Sequence, residues 1–176
     1  GKESITNAVV RIRSLNLKKI VTATTRERRP REISGKHFYF FTPEEFQSKI
    51  KRNFFLEWAV HSGERYYGTP MREIRLARTE QKHIVLNIDV QGAAQVVLKD
   101  KSAIRIFIKP ESLQILRKRM VRAGFSKDQI AARLEDAKKE LKEAGKYDFV
   151  VVNKEGKLKK AIERVAGIIK KELQTL

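Results

Sequence analysis

The sequence predicts an α/β fold in which strands alternate with helices, interrupted by a β-rich insertion between residues 22 and about 80. Two observations carry this expectation. The segments His83 to Val90, Ala103 to Lys109 and Phe149 to Val152 are apolar runs with few charges, the pattern of strands buried on both faces of a parallel sheet. Between and after them lie stretches with helical periodicity: Ser112 to Arg122, Lys127 to Ala144 and Leu158 to Leu176.

Each element has a local reason. Ile5 to Leu15 reads as a short helix, and the branched residues Ile20, Val21, Thr22, Thr24 and Thr25 make Lys18 to Thr25 strand-like. Gly35 opens a strand from Lys36 to Thr42, built on the run Phe38-Tyr39-Phe40-Phe41. Thr42-Pro43-Glu44-Glu45 is a helix start, with Thr42 as N-cap, Pro43 in the first position and Glu45 closing a capping box. Phe46 and Ile50 of that helix are expected to point inward. In the last helix, Leu158, Ala161, Ile162, Val165, Ile169 and Leu173 form the predicted inward stripe.

Composition narrows the function classes. A chain of 176 residues suits one domain with a real core. It has no apolar run of about 18 residues for a membrane span and no secretory leader pattern. With no cysteine it holds no disulfide, zinc-thiolate site or thiol nucleophile, which fits a reducing compartment and leads us to expect a cytoplasmic protein. The 39 basic residues against 21 acidic give a net charge of +18, which favours anionic partners. Many lysines, among them Lys138, Lys139, Lys142, Lys159, Lys160, Lys170 and Lys171, are expected on solvated helix faces. Nucleic acid is not the expected partner, because the aromatic platforms and motifs of such binders are missing from the sequence. The three histidines, His37, His61 and His83, lack metal-ligand spacing and are expected at the surface or in packing roles.

Three segments together outline a site for a purine monophosphate. The first, Val21 to Arg29, puts hydroxyls and clustered arginines at the end of an apolar strand, and guanidinium forks match phosphate oxygens in pairs. The second, Phe55-Leu56-Glu57-Trp58-Ala59 with Tyr67-Gly68-Thr69, supplies one carboxylate in an apolar stretch and one hydroxyl. A guanine edge needs an acceptor for its N1 and N2 hydrogens and a donor for O6, which a Glu and a Thr provide. The third, Leu86 to Gly92, sets Asp89 at the mouth of a buried strand.

These motifs, with Ile106 to Leu113 and Val151-Val152-Asn153, resemble the guanylate kinase family along the chain from residue 1 to about 176. The resemblance implies a P-loop nucleoside-monophosphate-kinase core, a GMP-binding subdomain over residues 22–80 and a mobile helical lid over 116–139. Residues 1–21, 81–115 and 140–176 would form the core. It implies transfer of the γ-phosphoryl group of ATP, accompanied by Mg²⁺, to GMP. On GMP it places Thr22, Arg26, Arg29, Glu57, Tyr67, Thr69 and Asp89, with Asp89 near Mg²⁺ through water. It assigns catalytic roles to Lys2, Arg26, Arg119 and Arg133, and ATP contacts to Gly1, Lys2, Ser4 and Asn153.

Some positions depart from the family pattern. Phe38 stands where the family has a phosphate-binding tyrosine, and strand alternation turns its neighbour Tyr39 to the other face. Arg28 and Arg31 replace a Pro and a Gly, Asn87 replaces an acid, and Ala123 replaces a second lid arginine. The opening Gly1-Lys2-Glu3-Ser4 resembles only the tail of a P-loop, so the sequence given is expected to start late. The alternative reading is a non-catalytic guanylate-kinase-like module that binds a phosphopeptide or GMP.

Overall fold

The computed structural model describes residues 1–61 and 65–175. In chain order the elements are α1 (Lys2–Val9), β1 (Leu17–Lys19), β2 (Thr22–Thr24), β3 (Phe38–Phe40), α2 (Pro43–Lys51), β4 (Phe55–His61) and β5 (Arg65–Pro70). They continue with α3 (Met71–Thr79), β6 (His83–Val85), α4 (Val90–Lys99), β7 (Ile106–Pro110), α5 (Leu113–Arg122), α6 (Lys127–Lys142), β8 (Phe149–Asn153) and α7 (Leu158–Leu173). This is the mixed α/β architecture with parallel strand pairs that the sequence predicts. The chain divides into two compact units, Asn16–Ala103 and Gly1–Leu15 with Ile104–Leu176.

In the first unit, a four-stranded sheet of order β3-β2-β5-β4 carries the segments expected to meet a nucleotide. β2 runs parallel to β3 and antiparallel to β5, and β4 pairs antiparallel with β5. The core beneath it is aromatic: Phe46 is fully buried and stacks on Phe55 with ring centroids 4.3 Å apart. Thr42 caps α2 in the expected capping box, and Ile50 packs against the same cluster.

The strand expected at Lys18 to Thr25 is two strands instead. β1 pairs with β6, and the last bond there is from Ile20 N–H to the Val85 carbonyl; β2 then joins the other sheet. Ile20 between them is buried with Ile74 and Ala77, and that anchoring makes the break. β6 is shorter than the apolar run His83 to Val90, because its ladder partner β1 has three residues and Asp89 already caps α4. Periodicity alone also left α3, α4 and the β4–β5 hairpin unassigned as elements.

Side chains of α4 close the sheet at β4: Gln91 donates to the Val60 carbonyl at 3.4 Å, Lys99 donates to the Leu56 carbonyl, and Gln95 lies between them. Gln95 of α4 accepts from the Trp58 N–H at 3.1 Å and donates to the Trp58 carbonyl at 2.5 Å. A carboxamide has the donor and acceptor of a peptide group, so Gln95 stands where a neighbouring strand's backbone would.

In the second unit, β7 and β8 form a parallel pair from Ile106↔Phe149 to Pro110↔Asn153. α7 packs on β8 and α1, and α5 packs on α6. Ser112 and Ser126 cap α5 and α6, the latter in a capping box with Gln129. The predicted stripe of α7 is rotated: Ala161, Val165 and Ile168 are buried, Ile169 is at the margin, and Leu158 in the first turn is 40 % exposed. The helix expected over Ile5 to Leu15 ends at Val9, and a separate 3₁₀ turn follows at Arg13–Leu15. The expected end of the last helix, Leu176, lies outside the described residues.

Candidate active site

The base-reading candidates lie on β4 and β5. Two residues of β4, Leu56 and Glu57, stand opposite the single Thr69 of β5, a bulge of the kind that re-aims a side chain. Glu57 is 3 % exposed, and its Oε1 accepts from the Thr69 hydroxyl at 2.5 Å. Thr69 itself is fully buried. Burial raises the Glu57 pKa, and the nearby Asp89 charge adds to this; the Thr69 hydrogen bond and Lys99 act in the opposite sense.

Two glycines are required by close approach. A Cβ on Gly92 would stand 2.3 Å from Glu57 Oε2, so the start of α4 fits against the carboxylate only without a side chain. A Cβ on Gly68 would meet the Glu57 carbonyl, Phe46 and Phe55, each at 3.0 Å, which explains the glycine between Tyr67 and Thr69.

Asp89 is the N-cap of α4: its Oδ1 accepts from Gly92 N–H at 2.8 Å. Its Oδ2 lies 2.9 Å from His61 Nε2, and Asp89 is buried. The sequence predicts only a packing or surface role for His61, which the Asp89 contact corrects. The missed signal was strand alternation, which sets Glu57, Ala59 and His61 on one face of β4. His61 in turn meets the Tyr67 ring edge-on, with centroids 5.2 Å apart.

The arginine cluster follows β2. Arg26 Nη2 donates to Glu32 Oε1 at 2.7 Å and Oε2 at 3.0 Å, and Nη1 donates to the Glu27 carbonyl at 2.6 Å. The guanidinium lies over Phe38 at 5.6 Å and Phe40 at 5.9 Å. Burial opposes its charge, but bonding and attraction from Glu32 and Tyr67 prevail and raise the pKa. Arg29 contributes its backbone N–H to Glu32 Oε2 at 2.8 Å. Arg26 and Arg29 together depress the Glu32 pKa, chiefly through the Arg26 hydrogen bond. The motifs do not single out Glu32, although it stands six residues beyond Arg26 in an arginine-rich loop.

Tyr67 is edge-on to Phe38 at 6.3 Å, which brings it into the Arg26 group, and Thr22 lies on β2 in register with Phe38. Tyr39, on the opposite face, donates its hydroxyl to Glu73 at 2.8 Å. The unit therefore gathers Glu57, Thr69 and Asp89 in one group, and Arg26, Tyr67 and Phe38 in another.

The remaining candidates belong to the second unit. Arg119 donates to the Asn153 carbonyl and to Glu155, each at 3.0 Å, and Arg122 donates to the same Glu155 at 2.6 Å. Asn153 is buried, and a Cβ on Gly1 would stand 3.6 Å from its Nδ2. Lys2 and Ser4 are in the first turn of α1. Arg133 instead lies over the Phe125 ring at 4.5 Å. Arg119, Asn153 and Gly1 are thus gathered, while Arg133 is held by an aromatic contact of its own.

The fold matches solved relatives. The crystal structure of guanylate kinase from Anaplasma phagocytophilum superposes with a TM-score of 0.79 at 28 % identity, covering 97 % of this chain and 81 % of that one. Guanylate kinase from Lactococcus lactis is 42 % identical over 158 residues, 89 % of this chain and 76 % of that protein. Guanylate kinase from Thermotoga maritima is 39 % identical over 173 residues, 98 % of this chain and 82 % of that protein. The profile of the family described as guanylate kinase matches residues 1–172. Fold and relatives define a phosphotransferase of the mixed α/β kinase class. The chain belongs to the guanylate kinase family.

Proposed function

We propose that the chain transfers the γ-phosphoryl group of ATP to GMP, giving ADP and GDP. The observation that carries this reading is the buried pair Glu57–Thr69 beside Asp89. A carboxylate this buried is costly, and guanine N1–H and N2–H are donors that suit it. On binding, these hydrogens would take over Glu57, and the Thr69 hydroxyl would turn its proton to O6. Arg26, Arg29, Tyr67 and Thr22 would hold the GMP phosphate, the arginines neutralising its charge.

On the donor side, Gly1, Lys2, Ser4 and Asn153 would contact ATP, and Lys2, Arg119 and Arg133 would offset charge on the transferring group. A GMP phosphate oxygen forms the new bond to the γ-phosphorus as the bond to the ADP oxygen breaks. Positioning and charge neutralisation suffice for this, and no covalent enzyme intermediate is needed. Residues 22–80 would then be the acceptor subdomain and 116–139 the lid.

Mg²⁺ is the expected companion of ATP, where it would neutralise phosphate charge. Among the described residues no cluster of three His, Asp or Glu side chains is arranged to hold a metal. Both Asp89 oxygens are engaged by Gly92 and His61, which fits contact through water better than direct ligation. No helix among the described residues is long and apolar enough to cross a membrane, and cytoplasmic residence is part of this reading.

Isothermal titration with GMP and with ATP–Mg²⁺, followed by a coupled ADP-release assay, tests the proposal. Binding of both with turnover that requires GMP is expected. A folded sample that binds GMP but releases no ADP would overturn the kinase reading and leave a binding module.

A further inference from the structure

Among the described residues β8 has one unpaired edge. β7 pairs with it along one side only. Phe149 N–H donates to the Arg105 carbonyl at 3.1 Å. In a parallel ladder the backbone groups of Phe149, Val151 and Asn153 therefore turn toward β7, and those of Val150 and Val152 turn away. Among the described residues no strand pairs with that outer side.

A cleft of about 410 Å³ opens there, walled by Val150 to Val152 on one side and α7 on the other. Three successive strand residues line it. Side chains alternate between the faces of a strand, so a wall of consecutive residues is the edge itself. Among the described residues the polar lining is cationic: Lys154, Lys157, Lys160 and Arg164. None of these four takes part in an ion pair among the described residues. Val150 adds an apolar contact, being 44 % exposed.

We propose that this cleft binds an acidic, extended segment of a partner protein, which adds to β8 as a further strand. Strand addition takes its affinity from main-chain hydrogen bonds and its selectivity from alternate side chains. Val151 is buried and Val150 is exposed, so α7 covers the Val151 face. The partner's residues on that face meet the four cations and are carboxylates; those on the other face lie beside Val150 and are apolar. Lys157 to Arg164 span roughly 10 Å along the helix, about the length of three strand residues, so the charges run alongside the edge they guard. Cations beside an open edge also repel basic strands. A second copy of this chain, at +18, is disfavoured for the same reason. The site uses no residue assigned to GMP or ATP and stands independently of the kinase reading.

The test uses the full chain and three labelled peptides in fluorescence anisotropy. One alternates Glu and Val, one alternates Lys and Val, and one keeps the acidic charge but carries proline at alternate positions. The Glu–Val peptide is expected to bind, the Lys–Val peptide not to bind, and the proline peptide to bind about tenfold or more weakly, since proline removes ladder donors. Hydrogen exchange should slow at the Val150 and Val152 amides. Reversal of the exposed pair, Lys160→Glu with Arg164→Glu, should weaken the peptide about tenfold or more and leave GMP binding unchanged. The milder pair Lys160→Gln with Arg164→Gln should give an intermediate loss in a folded protein. Equal binding of the proline peptide, or binding without protection of those two amides, would reduce the cleft to a diffuse cationic patch and overturn the proposal. Absence of Glu–Val binding at low salt would overturn it outright.

Discussion

The Glu32 carboxylate spans two arginines of one loop: both oxygens reach Arg26 Nη2, at 2.7 and 3.0 Å, and one also takes the Arg29 N–H at 2.8 Å. Glu32 thus fixes the direction of the Arg26 guanidinium, already laid over Phe38 and Phe40, and the course of the loop that presents Arg29.

Glu32→Ala should therefore weaken GMP by about three- to tenfold, an effect of the size of one lost hydrogen bond. The loss should appear in GMP affinity and be small for guanosine, which has no phosphate. Calorimetric titration of both ligands checks this. Tighter GMP binding in the variant would mean that Glu32 competes with the phosphate and does not orient its receptor.

Glu57→Gln should separate stability from binding. The folded Glu57 pKa is raised, so its protonated form is favoured by folding, and stability is lost as pH rises through that folded value. At neutral pH the neutral amide removes this cost and the repulsion from Asp89, and the ligand-free variant should melt at a higher temperature than the parent. Its GMP affinity should fall about ten- to hundredfold, because an NH₂ replaces an acceptor facing N1–H and N2–H. Thermal unfolding with and without GMP measures both effects together.

The two carboxylates should also titrate with opposite signs. Glu32 is depressed, so its stabilising contribution is complete above the ordinary Glu value of about 4.3 and is lost as pH falls through its folded pKa. Unfolding midpoints followed from pH 7 downward should show Glu32→Gln converging with the parent in acid. The gap between Glu57→Gln and the parent should close over the same descent, from the other side.

Gly92→Ala should destabilise the protein by about 1–3 kcal/mol, the usual cost of overpacking. The added methyl group overlaps Glu57 Oε2 at 2.3 Å, so the carboxylate must move. GMP should weaken along with stability. An unchanged melting temperature with normal GMP affinity would show that Glu57 has room to yield.

Phe46→Ala removes the fully buried ring that stacks on Phe55. A cost of about 3–5 kcal/mol is expected by chemical denaturation, with the β4–β5 hairpin losing amide protection first.

How much of this was legible depended on whether the signal was local. The α2 capping box could be read directly, because Thr42 and Glu45 answer each other within one turn. Phe46 as a core residue followed from the same helix. The identities of Glu57, Thr69 and Arg26 as candidates also came from sequence, through clustered motifs. Their partners did not. His61 and Gln95 act between elements, at separations fixed by register, and Glu32 acts within its own loop, where no period marks which residues meet. The break between β1 and β2 was equally hidden, since a run of branched residues looks the same whether it serves one sheet or two. The rotated stripe of α7 has a similar origin: Leu158 fits the period, but only packing decides that Ile168 is inside.

Gln95 places a stand-in peptide group beside Trp58, and that has a consequence for how the sheet ends. A strand bordering solvent is a template that any passing strand can copy. At β4 the template is already occupied at Trp58 by an amide tethered to α4, with Gln91 and Lys99 on the carbonyls to either side, so the stop signal is part of the chain itself. It is also specific to position: sliding α4 along β4 by one residue forfeits both bonds. The same carboxamide that terminates the sheet therefore locks helix and strand in step, and through that lock it keeps Gly92 seated against Glu57. Gln95→Leu would give up the two-way bond at Trp58, opening the margin at that residue and loosening the helix that seats Gly92 against Glu57.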